Sequence, residues 1–435
     1  MNNILKKISI KSIAKKVLPD CVIRVLKKIK KNIIEYKNKI IIEKIYKKNL
    51  SIENKLRNRG DKQIRFACYV MYASDFGESD IISLMIADKD FSPKIVIVPD
   101  VARGKDHMLS EYHETKEFLI NKFGSEYILD GYNEETDTYL DYSNNFDIIA
   151  MNCPYDEMYH KVHKISYLNK KNLLVIHSVY GYFISKFGET VLYPRLEISC
   201  LWKMFLDTKY TYNSYAANSI CKGKNAVALG YPKMDALSRY KCENKNRKQI
   251  LIAPHHSVNS PKVPLSNFLS YYDLILELPE LYPSIDFVFR PHPLLFSTLI
   301  NAKLWTKEQV DTYLNDLSRK GIIYSHGGDY FDVFANSDAI IHDCASYITE
   351  WLFTGKPGCF VVKDDSIFNT FTELGKESVK YYKFAYSRED IIDFINNVID
   401  NKINNNNFNN SVIKENIMLN YPNVSQKIVD YLRLK

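Results

Sequence analysis

The sequence predicts an α/β protein of two Rossmann-like lobes preceded by a basic helical arm. Three observations carry that expectation. From Lys62 onward, short apolar runs alternate with helical periodicity, the pattern of parallel strands joined by crossover helices. The alternation stops at a polar, turn-rich stretch, Lys241–Arg247, and then starts again. The positive charge is concentrated at one end. Residues 1–50 hold 15 Lys and Arg against 3 Asp and Glu, a net of +12 in a chain whose total is +8. The expected division is an arm over 1–60, a first lobe over 61–240 and a second lobe over 241–435.

In the arm, lysines are interleaved with Ile4, Ile8, Ile10, Ile13, Val17 and Leu18, then with Val22, Ile23, Val25, Leu26 and Ile29. Two basic amphipathic helices broken at Pro19 follow from that spacing. Such helices suit an anionic membrane surface, at about 1 kcal/mol per basic side chain near it. A solvated arm is the alternative. Nucleic acid is not an expected partner, because the body offers no matching basic patch.

In the first lobe, Ile64–Tyr72, Lys94–Val98, Phe146–Asn152 and Asn172–His177 read as strands, with helices over Ser79–Ala87 and Asp106–Phe123. Thr208–Asn213 and Asn225–Leu229 read as two further strands. In the second lobe the strands are Gln249–Ala253, Asp286–Arg290, Gly321–Tyr324, Ala339–His342 and Gly358–Val362. Its helices are Asn267–Leu278, Tyr330–Asn336 and Ser346–Thr354, and the Asn-rich stretch 401–410 reads as an exposed loop.

With 435 residues, 46% hydrophobic and 25% charged, the chain is an ordinary globular protein rather than a collagen-like, disordered or disulfide-scaffold one. Its eight cysteines are scattered without a Cys-x-x-Cys pair, which argues against structural zinc and for a reducing compartment. No apolar run of about 18 residues occurs and no secretory signal is seen, so a cytoplasmic protein resting on the inner face of the membrane is expected.

Open α/β sheets bind ligands beyond the carboxyl ends of their strands. Just past those ends lie His177-Ser178, His255-His256, Arg290-Pro-His292 and His342-Asp343-Cys-Ala-Ser346. Five of the ten histidines therefore fall at one kind of position. Histidine, arginine, hydroxyls and helix-start N–H groups suit a phosphate or diphosphate. Ser346 reads as the cap of the helix it opens, either as a plain N-cap or as part of a phosphate cradle. Walker A, Gly-x-Gly-x-x-Gly and Gly-x-Ser-x-Gly motifs are absent, and no metal site is expected. Gly230-Tyr-Pro-Lys-Met-Asp235 reads as a turn with a capping Asp, or as an edge of the cleft.

The ordered set VIHSVYG, LGYPKMDAL, ILIAPHHS, FRPHPLL and SDAIIHDCASYITEWLFTGKPGCFVV resembles the CDP-glycerol glycerophosphotransferase family over roughly residues 150–375. The family builds teichoic acids and related phosphopolyol polymers on a two-lobed GT-B architecture at the membrane surface. The resemblance implies His177 and His292 as the catalytic pair. It implies donor contacts from Asp343 and Ser346, with Glu350 facing the donor ribose or base. Arg290, His255 and His256, at strand ends of the second lobe, join them on the donor side. The chain has His177-Ser178 where the family has His-Gly, and His255-His256 where the family has Thr. The implied substrates are CDP-glycerol or a similar activated donor and a hydroxyl on a lipid-linked or growing polymer; no cofactor is implied. A nucleotide-sugar glycosyltransferase and a degenerate scaffold subunit stay open beside this reading.

Overall fold

The computed structural model describes residues 20–242, 245–258, 260, 264–327, 329–403 and 410–435. Two all-parallel sheets dominate it. The first is ordered β3-β2-β1-β6-β7-β8-β9 and the second β12-β11-β10-β13-β14-β15. The strands of the first are β1 (Ile64–Val70), β2 (Phe91–Ile97), β3 (Ile128–Asp130), β6 (Ile148–Met151), β7 (Leu174–Ser178), β8 (Lys203–Leu206) and β9 (Ala226–Ala228). Those of the second are β10 (Lys248–Ala253), β11 (Ile285–Phe289), β12 (Ile323–Tyr324), β13 (Ala339–His342), β14 (Gly358–Val361) and β15 (Lys383–Ala385). A short antiparallel hairpin, β4 (Tyr132–Asn133) with β5 (Thr138–Tyr139), stands apart. Each large sheet runs outward from its first strand in both directions, which is the doubly wound pattern of a Rossmann fold. Strands such as β10 and β13 are buried on both faces, as their continuous Ile/Leu/Ala runs require.

Three expectations need correction. Thr208–Asn213 is not a strand: Lys209–Asn218 is helical, and β8 lies just before it. The Thr208 hydroxyl accepts the Thr211 N–H at 3.0 Å, so a local cap outweighs the strand preference of Thr and Tyr. The second correction concerns the end of the chain. Helix Val424–Leu432 returns to the first lobe, where Val424, Ile428, Val429 and Leu432 are buried with β1, β2 and β7 residues. Burying four such side chains is worth about 1.5–3 kcal/mol each. The LGYPKMDAL motif holds this helix. Asp235 accepts the N–H groups of Val424 at 3.1 Å and Ser425 at 2.7 Å. Gly230, at φ +110°, lies where a Cβ would strike the Leu419 carbonyl and come within 2.7 Å of Val424 Cγ2.

Helix Asp20–Arg57 is continuous; Pro19 and the first expected helix lie outside the described residues. Its last third belongs to the first lobe rather than to a free arm. Lys48 Nζ donates to the carbonyls of Asn169, Lys171 and Leu173 at 2.9–3.3 Å, and Trp202 Nε1 donates to Glu53 at 2.8 Å. Its first half carries exposed Val22, Leu26, Ile29, Ile33, Tyr36 and Ile40. Among the described residues no helix is long and apolar enough to cross a membrane. Residues 404–409 of the Asn-rich stretch lie outside those described.

Candidate active site

In the second sheet the chain reverses direction between β10 and β13, the position at which doubly wound folds bind ligands. Three strand ends meet there. β10 leads to His255 and His256, β11 to Arg290 and His292, and β13 to Asp343. The histidine rings touch: centroids lie 4.3 Å apart for His255–His256, 4.0 Å for His256–His292 and 5.2 Å for His255–His292.

Local hydrogen bonds decide what these rings present. The Ser257 N–H donates to His255 Nδ1 at 3.2 Å, and the Leu294 N–H donates to His292 Nδ1 at 3.1 Å. His342 Nδ1 lies 3.2 Å from both the N–H and the carbonyl oxygen of Cys344, so it can play either part there. At His255 and His292 the backbone two residues on occupies the Nδ1 lone pair, so the neutral ring carries its proton on Nε2. Burial keeps the rings neutral. It pulls His255 down to about 2, with His256, His292 and His342 adding to the effect, and His292 and His342 down to about 3. His256 is lowered by burial too.

His255, His256 and His292 each offer a nitrogen within 4.8 Å of the others, close enough for a metal. A metal ligated through Nε2 wants Nδ1–H donating outward. His255 and His292 have the reverse arrangement, in which Nε2–H is a donor, and that suits the oxygens of an anion.

The other expected donor-side residues brace this cradle. The Arg290 guanidinium donates to Ser325 Oγ and the Gly327 carbonyl, both at 2.7 Å, and lies 5.8 Å from the Tyr330 ring centroid. The Asp343 carboxylate accepts the N–H groups of His255 and Asn267, each at 2.5 Å, which ties the end of β10 to that of β13. Burial outweighs those bonds and pushes Asp343 up to about 7. Ser346 does not cap its helix: its backbone is already helical and its hydroxyl makes no capping bond. Glu350 is turned inward, accepting the Tyr330 hydroxyl at 2.7 Å, rather than lying open for a ribose. Burial raises its pKa, opposed by Lys233 of the first lobe. The Lys233 amine sits 4.9 Å from the Tyr330 centroid, so Tyr330 joins the lobes. Tyr330, Lys233 and Asn267 were not singled out from the sequence; only Lys233 lay in a motif, and none sits at a strand end.

His177 stands apart on β7. Its Nδ1–H donates to the Met151 carbonyl at 2.6 Å, leaving the Nε2 lone pair buried and without a hydrogen-bond partner. Burial lowers it to about 4. This is the tautomer opposite to that of His255 and His292, and it makes Nε2 a proton acceptor. The loop after β7 docks on the second lobe. Thr372 donates its N–H to the Ile184 carbonyl at 2.7 Å and its hydroxyl to the Phe183 carbonyl at 2.9 Å, and Lys186 donates to the Asn369 carbonyl at 3.0 Å. Among the described residues, no ring contact joins His177 to the second-lobe histidines.

No protein-family profile and no curated protein matches the sequence. Solved structures do match. A variant of the wall teichoic acid polymerase TagF soaked with CDPG superposes with a TM-score of 0.55 at 13% identity, over 94% of this chain and 98% of that one. The UDP-GlcNAc 2-epimerase of Methanocaldococcus jannaschii, with UDP-GlcNAc and UDP, gives 0.53 at 13% identity over 86% and 100%. S. aureus MnaA with UDP gives 0.52 at 14% identity over 86% and 98%. The likeness establishes the fold: the two lobes have the GT-B arrangement that the sequence predicts.

Proposed function

We propose, from the fold shared with TagF, that this chain is a transferase. It moves a polyol phosphate, glycerol phosphate first among them, from a CDP-activated donor to a hydroxyl of a lipid-linked or growing cell-surface polymer. One observation carries the reading: histidines at strand ends of the two lobes hold opposite tautomers, an acceptor in the first lobe and donors in the second.

The chemistry follows from those protons. The acceptor hydroxyl gives its proton to His177 Nε2 as its oxygen bonds to the donor's β-phosphorus. The bond from that phosphorus to the bridging oxygen breaks, and CMP leaves. The Nε2–H groups of His255 and His292 hold the diphosphate oxygens where charge builds up. The approach of that anion raises the pKa of the neutral rings and strengthens their bonds to it. Arg290, Asp343 and Glu350 keep the cradle in place, Ser346 lies at its edge, and His256 completes the ring contacts. The donor is the substrate, and no cofactor is assigned. The exposed apolar stripe and the lysines of helix Asp20–Arg57 support contact with an anionic membrane surface, where such an acceptor resides.

A nucleotide-sugar donor is the second reading, favoured by the neighbours whose structures contain UDP or UDP-GlcNAc. The test is nucleotide release by the purified chain with CDP-glycerol, CDP-ribitol and UDP-sugars, in the presence of a lipid-linked acceptor extract. CMP release that His177→Ala lowers by about 10²–10⁴-fold, and that His292→Ala also lowers, is expected. UDP release would transfer the reading to glycosyl transfer. A folded chain that turns over no donor would leave a scaffold role.

A further inference from the structure

We propose that Asp207, with the hydroxyls of Tyr182 and Tyr193, forms a subsite for an uncharged, hydroxyl-bearing part of the acceptor, on the same sheet edge as His177. The inference rests on the transferase reading for the name of its ligand, and on the observations below for the site itself.

β7 and β8 are parallel neighbours, with His177 opposite Met204 and Ser178 opposite Phe205. Asp207 is the first residue past β8, so it emerges at the edge from which His177 also leaves. Its side chain is fully buried, and neither carboxylate oxygen has a hydrogen-bond partner. Thr208 and Thr211 lie close enough to steady its charge; the Thr208 hydroxyl donates to that of Thr211 at 2.9 Å, so of the two only the Thr211 proton remains to face Asp207. The Tyr182 and Tyr193 hydroxyls are also buried and unpartnered, and for each of them Asp207 is the strongest nearby charge. Native proteins rarely leave buried polar atoms unmatched, and several together mark a place filled by water or ligand.

The chemistry of the group selects the ligand. The carboxylate only accepts hydrogen bonds, while the phenols both donate and accept. Among the described residues no cation forms a salt bridge with Asp207. A phosphate would meet like charge there, whereas vicinal hydroxyls supply the missing donors and acceptors together. Nor is Asp207 needed by the helix that follows, since Thr208 caps it. The Nδ1–H of His177 is held by the Met151 carbonyl and not by Asp207, so Asp207 is a positioning residue rather than part of a proton relay.

The test uses the purified full chain with glycerol and ribitol as probes, and inorganic phosphate as the control. Saturation-transfer NMR is expected to show both polyols binding, phosphate failing to compete with them, and Asp207→Asn and Tyr193→Phe losing the signal. In turnover assays, Asp207→Asn should raise the acceptor KM by about tenfold or more while the CDP-glycerol KM stays unchanged. Its melting temperature should not fall, because an unpaired buried charge has been removed. Polyol binding and acceptor KM unaltered in both variants would show a water-filled structural pocket and overturn the proposal. So would a chain that unfolds on Asp207→Asn. Polyol binding lost in the variants, in an enzyme that turns over no CDP-polyol, would instead overturn the transferase reading and leave the subsite standing.

Discussion

A histidine in this protein is defined less by its type than by which ring nitrogen its neighbours occupy. The same backbone device sets His255 and His292, and a strand carbonyl sets His177 the other way. All three, and His342 with them, are held below the usual histidine range by burial, at about 2 to 4. The unfolded chain therefore takes up protons below pH ~6.5 that the folded chain refuses. This stability is fully present above that pH and is lost as the pH falls toward 4. Asp343 and Asp207 act in the opposite sense, because burial pushes them up to about 7 and about 6 and they gain protons in the folded state. With His163, which burial also lowers to about 4, five protons against two leave a net loss, at about 1.4 kcal/mol per pH unit for each unmatched proton. Calorimetry should show a melting temperature that falls between pH 6.5 and 4, and falls less steeply in His342→Gln. Asp343→Asn sets a donor against the Asn267 or the His255 N–H. We expect it to cost about 1–3 kcal/mol of stability and to raise the donor KM, measured by denaturation and steady-state kinetics.

At the scale of elements, the N-terminal helix has two halves with different tasks. The second is fastened to the first lobe by one lysine that satisfies three carbonyls, and burial lowers that lysine to about 8. Lys48→Met leaves those carbonyls short of a donor, so limited proteolysis should cut within 20–57 sooner than in the wild type while the lobes stay resistant. The first half has an apolar stripe, spaced 4-3-4-3-4 from Val22 to Ile40, flanked by lysines. A chain lacking residues 1–41 should lose binding to vesicles of anionic lipid, read by flotation. The wild type should lose it in high salt, because the attraction is worth only about 1 kcal/mol per basic residue.

At the scale of the molecule, the chain passes between the lobes twice, and one apolar cluster runs through both, from Val175 and Ile184 to Phe334 and Trp351. The loop after β7 is clasped by the Thr372–Gly375 turn. A Cβ on Gly375 would come within 2.8 Å of Ile184 Cγ2 and 2.9 Å of its carbonyl oxygen, so Gly375→Ala wedges the lobes apart. We expect this variant to show a larger radius of gyration by X-ray scattering and a lower kcat, with each lobe's secondary structure intact.

The amino-acid sequence alone determined the two-lobed α/β fold and the histidine-bearing strand ends. Each rests on a short-range pattern: apolar runs, their punctuation, and the residues just past them. It misread Thr208 because strand preference and a helix cap compete within four residues. It also could not place the last helix, whose apolar face suits either lobe until Asp235 and Gly230 choose. The roles of site residues were less legible still. His177 and His292 look alike in the sequence, and only the tertiary structure decides which nitrogen of each keeps its proton. Asp343, Ser346 and Glu350 sat in the expected turn, yet two of them brace backbone or tyrosine and the third does not cap. Asp207 carried no motif at all. It became visible only as a buried carboxylate left without a partner, and that condition depends on what packs around a residue rather than on what precedes it.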